Sequence, residues 1–69
     1  MTLKELVKTF GNIQEGKITK VRVWSNGGFN YEGEWEGTNN INKIEVFVKA
    51  NHKVQRFDII GKRLEVILY

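Results

Sequence analysis

Residues 17–36 read KITKVRVWSNGGFNYEGEWE. A β-branched run from Ile18 to Val23 meets Asn26-Gly27-Gly28 and returns as an aromatic run in strict alternation, Phe29, Tyr31 and Trp35 sharing one parity. That pattern predicts a β-hairpin. Loop length then decides which side chains face each other. A two-residue loop at Asn26-Gly27 sets Val23 against Asn30 and Val21 against Glu32, and one at Gly27-Gly28 sets Val23 against Glu32, so both mix apolar with polar side chains. A three-residue loop, Asn26-Gly27-Gly28, sets Val23 against Tyr31, Val21 against Gly33 and Thr19 against Trp35. It leaves Arg22 opposite Glu32 and Lys20 opposite Glu34, so both faces are sorted at once. Gly28 then suits the positive-φ position after a type I turn. Gly33, without a side chain on the buried face, marks a bend or a close approach to the backbone.

Towards the N-terminus, Thr2-Leu3-Lys4-Glu5 has the spacing of a capping box, with Met1 and Leu6 at the staple positions. Leu3, Leu6, Val7 and Phe10 recur at helical spacing and Gly11 follows, which predicts a helix over 3–10 that docks on the sheet. Asn12 to Gly16 reads as a connector anchored by Ile13. Towards the C-terminus, Gly37 to Asn42 is a polar turn cluster, after which Ile44, Val46 and Val48 alternate with Glu45 and Phe47. A loop over Ala50 to Lys53 then sets Val46 opposite Phe57, and a glycine-first turn at Gly61-Lys62 pairs Ile59 with Leu64 and Phe57 with Val66. Three turns of consistent parity predict one α+β domain over 1–69: a short N-terminal helix packed on a five-stranded antiparallel meander, with strands at about 17–25, 29–36, 43–49, 54–60 and 63–69. The expected sheet is strongly bent or closes into a small SH3-like or Sm-like barrel.

Composition narrows function mainly by exclusion. The chain carries eleven Lys and Arg against eight Asp and Glu, a formal charge of +3, with the signs interspersed. This is a mild lean towards anionic partners and lacks the basic stripe of a duplex binder. The lack of cysteine removes disulfides and thiolate sites and fits a reducing cytoplasm, the expected location. No apolar run is long enough to span a membrane. The one histidine, His52, sits in an expected turn, and the one serine, Ser25, stands at the hairpin corner without a partner base. Glu34, Glu45 and Asp58 line up in the expected sheet as a possible hard-cation row, but flanking Lys20 and Arg63 make charge compensation the better reading. The expectation is a non-enzymatic protein with no catalytic residue, cofactor or metal.

On the outer face of the expected sheet, Arg22, Glu32, Phe47, Arg56 and Ile67 form one row and Trp24, Asn30 and Lys49 another. Trp24, Phe47, Ile67 and Tyr69 are thus directed outward as a group, with Ile60, and predict a contact surface for another protein or a second copy of the chain. The second reading is a single-stranded nucleic-acid platform, with Lys20, Arg22, Lys49 and Arg56 neutralising phosphates between the rings.

Two family resemblances accompany these readings. Thr2-Leu3-Lys4-Glu5-Leu6-Val7, the block Val21-x-Val23-x6-Asn30-Tyr31-Glu32-Gly33-Glu34 and Leu64-Glu65-Val66 resemble small accessory proteins of phages and mobile elements of Gram-positive bacteria. This implies a genetic context and no activity. The helix, the five strands, the spacing of Gly28 and Gly33, and Gly61 between the last two strands resemble the Sm-like fold, which implies ring assembly through strands four and five and binding of single-stranded RNA. Asn39 stands where that family carries an acidic residue, and Ile60 where a basic one is common.

Overall fold

The structure, a computed structural model, describes residues 1–11, 17–25 and 28–69. The expected connector with Ile13, and Asn26 and Gly27 of the hairpin loop, lie outside the described residues. The elements are α1 (Leu3–Phe10), β1 (Lys20–Ser25), β2 (Gly28–Glu34), a 3-10 turn (Gly37–Asn39), α2 (Asn40–Ile44), β3 (Val54–Ile60) and β4 (Arg63–Leu68). The strands form one open sheet in the order β2-β1-β4-β3, with β1 and β4 parallel and both outer pairs antiparallel. Five antiparallel strands and a barrel are therefore incorrect for this chain.

The error lies in one segment, 43–49. Ile44, Val46 and Val48 alternate, yet Ile41, Ile44 and Val48 also stand at i, i+3 and i+7, and the fold uses this second spacing. Ile44 is buried, Ile41 and Val48 pack against the core, and Val46 is left 76% exposed. The carbonyl of Ile41 accepts from the Glu45 N–H at 2.9 Å, and that of Ile44 accepts from the Phe47 and Val48 N–H groups at 2.9 and 3.0 Å. A short apolar run satisfies both periods, and burial against α1 and the sheet selects the helical one. With no third strand beside β2, β4 pairs with β1 instead. Val21 and Val23 therefore lie on a central strand and are fully buried.

The hairpin registers are as the sequence predicts where they bear on packing. Val21 faces Gly33, Val23 faces Tyr31, Arg22 faces Glu32 and Lys20 faces Glu34. Beyond Val23 the register shifts: Trp24 pairs with Phe29 and Ser25 with Gly28, so Asn30 is the extra residue of a bulge. The bulge reconciles a shorter corner with sorted faces, and Gly28 lies in the strand and not in a left-handed turn position. In the second hairpin Ile59 faces Leu64 and Phe57 faces Val66, with Gly61 at φ +62°. A bulge at Gln55 shifts that ladder between Val54 and Arg56.

Both described helices cover one face of the sheet. Leu3, Leu6 and Val7 of α1 and Ile44 of α2 meet Val21, Val23, Tyr31, Leu64, Val66 and Leu68 in a single core. Helix α1 begins with the expected capping box: Thr2 Oγ1 accepts from the Glu5 N–H at 3.2 Å and the Thr2 N–H donates to Glu5 Oε1 at 2.9 Å. Gly11 ends the helix in a right-handed conformation, and a Cβ there would lie 2.9 Å from the Thr38 methyl, so close approach explains the glycine. Met1 is exposed; its carbonyl instead accepts from the Val54 N–H at 2.8 Å, while Thr2 bridges Lys53.

Candidate functional site

Three rows run across the uncovered face. Strand parity and the registers place Glu34, Lys20, Arg63 and Ile60 in the first, Glu32, Arg22, Glu65 and Asp58 in the second, and Phe29, Trp24, Ile67 and Arg56 in the third. Glu65 is the hub of the middle row. Its side chain is only 15% exposed, and its carboxylate lies 3.9 Å from Arg22 Nη1 and 3.4 Å from Arg63 Nε. Trp24 Nε1 donates to Glu65 Oε2 at 3.4 Å, and Arg22 Nε donates to Glu32 Oε2 at 2.9 Å. A pair as open to water as Arg22–Glu32 contributes about 0.2–1 kcal/mol. The consequence of these contacts is positional: they tie the Arg22 head group and the Trp24 indole N–H to carboxylates of the middle row.

The third row is apolar apart from Arg56. Phe29 packs edge-on against Trp24 with ring centroids 5.0 Å apart. A shallow groove of about 330 Å³ opens beside them, lined by Trp24, Ile67, Ile60 and Phe57 together with Arg56, Asp58 and Glu65. Phe29 and Ile60 keep 51% and 52% of their surface exposed. The face therefore presents one mostly apolar row beside two charged ones, with Ile60 at the end of the first. Lys20, Arg22, Arg56 and Arg63 are matched by Glu32, Glu34, Asp58 and Glu65, so the face as a whole is neutral.

Of the residues expected to meet a protein partner, Trp24 and Ile67 stand side by side here. Phe47 does not; it follows α2 on the helical side, where its ring lies 5.9 Å from that of Tyr31. Tyr69 lies past the end of β4, exposed, its N–H donating to the Lys53 carbonyl at 3.2 Å. Among the expected phosphate contacts, Lys20, Arg22 and Arg56 share the open face and Lys49 lies in the exposed segment before β3. Glu45 likewise leaves the sheet, so the row of three carboxylates does not form, with Glu34 and Asp58 on opposite outer strands. Among the described residues no three acidic or histidine side chains are grouped to hold a metal.

One feature escapes the sequence reading: Phe29 belongs to the open face because the bulge at Asn30 reverses its parity. Ile60, directed outward by the sequence, lines the groove. His52, expected in a turn, is half-buried with Nε2 2.7 Å from the Tyr69 carbonyl. Ser25 Oγ accepts from Asn30 Nδ2 across the hairpin corner.

The described residues thus form a two-layer α+β structure whose helices leave one sheet face uncovered. No family model, curated protein sequence or solved structure matches it. No described helix is long and apolar enough to cross a membrane.

Proposed function

We propose that this chain is a non-enzymatic protein-binding module of the cytoplasm, and that the partner docks on the open sheet face over Phe29, Trp24, Ile67 and Ile60. One observation carries the reading: apolar side chains are held in place on a face that both described helices leave uncovered. Large apolar groups grouped on a small protein mark interaction surfaces. The groove has room for one or two apolar side chains of a partner, and Trp24 and Arg56 beside it are of the residue types that anchor interfaces.

The charge balance of the face argues against nucleic acid. A strand of phosphates approaching Arg22 and Arg56 would also meet Glu32, Asp58 and Glu65, so the attraction cancels. The Sm-like route to RNA binding further depends on five strands, and the described residues form a sheet of four.

Site-specific photo-crosslinking in the producing cell tests the reading. A crosslinker at Phe29 or Ile60 is expected to trap one discrete polypeptide, lost with Trp24→Ala, while a crosslinker at Phe47 traps none. Equal trapping from Phe47, or salt-sensitive capture of single-stranded RNA that is lost with Arg22→Ala, would overturn it.

A further inference from the structure

Main-chain groups, apolar side chains and charges outside the ion pairs of the described residues come together along the outer edge of β3. Ile60 and Arg63 close a hairpin around Gly61-Lys62, so they form a hydrogen-bonded pair, and the amides of Ile60, Asp58 and Arg56 face β4. Those of Phe57 and Ile59 therefore face outward. The Ile59 N–H bears this out by donating to Asp58 Oδ1 at 2.8 Å and not to a neighbouring strand. The N-terminal residues occupy the same edge only as far as Val54, where the Met1 carbonyl accepts the N–H. The free stretch thus runs from Gln55 to Ile59 and is centred on Phe57. Phe57 and Ile59 remain 43% and 40% exposed.

We propose that two copies of this chain pair antiparallel through this edge, with Phe57 opposite Phe57 of the second copy, to make one continuous eight-stranded sheet. The charges select this occupant. Arg56 and Asp58 flank the centre on the open face, and among the described residues neither joins an ion pair. In a two-fold pairing about Phe57, each Arg56 lies directly opposite Asp58 of the second copy, and this happens twice. An edge blunted against self-association carries charges of one sign, which repel a second copy. Here the signs are opposite, and an antiparallel twin supplies their complement from the same two residues. Pairing also hands the Ile59 N–H to the Gln55 carbonyl of the second copy, freeing the Asp58 carboxylate for Arg56. A seam of five residues is short, so the dimer belongs to the weak, reversible class with Kd on the order of 100 µM.

Sedimentation equilibrium from about 10 µM to 1 mM, without any partner present, tests the pairing. A monomer–dimer equilibrium is expected for the full chain. Arg56→Asp and Asp58→Arg, each placing like charges opposite one another twice, are expected to weaken it at least about tenfold. The double variant Arg56→Asp/Asp58→Arg restores opposite signs and is expected to regain the dimer, which a merely misfolded edge does not do. A monomer at every concentration, a dimer indifferent to single reversal, or a double variant no better than the singles overturns the proposal. Since the measurement contains no partner protein, its failure leaves the crosslinking result on the sheet face intact.

Discussion

Replacing Asn40 tests the way α2 is tied to the sheet. Its side chain is fully buried, its Nδ2 donates to the Glu34 carbonyl at 2.9 Å, and its Oδ1 accepts from the Glu36 N–H. One amide thereby satisfies both main-chain groups where β2 ends and the helical segment begins. Asn40→Ala removes two hydrogen bonds, each with a net worth of about 1 kcal/mol, and strands a carbonyl and an N–H. Glu36 is exposed, so water reaches one of the orphaned groups and holds the loss near about 2 kcal/mol. For a chain of this size that lowers Tm by about 8–16 °C. Asn40→Asp has the same shape and keeps the acceptor, but turns a carboxylate oxygen towards the Glu34 carbonyl. Burial beside that carbonyl raises the pKa of the new carboxyl in the folded state, so its stability deficit is smallest below the unfolded value near 4 and grows as pH rises. Urea unfolding of both variants against the parent, repeated between pH 3 and pH 7, reads these differences. A loss below about 0.5 kcal/mol for Asn40→Ala, or a pH-independent deficit for Asn40→Asp, refutes the reasoning.

Two further outcomes follow from single contacts. Gly33→Ala places a Cβ 2.3 Å from the Tyr31 hydroxyl and 2.9 Å from its Cζ, so the ring must move and the fold loses about 1–3 kcal/mol. Adding Tyr31→Phe, which removes the nearest atom, is expected to recover part of that loss in denaturant unfolding. The hydrogen bonds from Thr2, first the backbone N–H and then the hydroxyl, hold the Glu5 carboxyl below its ordinary 4.5. Its stabilising effect is therefore complete above that value and disappears as pH falls through the depressed one. Glu5→Gln is expected to flatten this part of the acid unfolding curve, and an unchanged curve would exclude the capping box as its source.

The hairpin was legible because its information is local. Val21, Val23 and Tyr31 sort to one side by alternation alone, and the cap of α1 is written in four consecutive residues. The candidate site was legible in part. Trp24 and Ile67 alternate outward on strands correctly assigned, whereas Phe47 was misplaced with the segment that carries it. Phe29 was hidden by a one-residue bulge, which reverses parity without leaving a mark in the hydrophobic pattern.

What the amino-acid order determined by itself is each short-range choice: the capped first helix, the two hairpins and their facing residues, because these depend on neighbours within about a dozen positions. What the tertiary structure alone decided is how those pieces meet. Residues 41–48 could serve a strand through Ile44, Val46 and Val48 or a helix through Ile41, Ile44 and Val48, and burial of the second set against the core settles the matter, since the core rewards the conformation that removes most apolar surface from water. That choice made β1 and β4 neighbours, set β3 at the margin and left the face with Trp24 open.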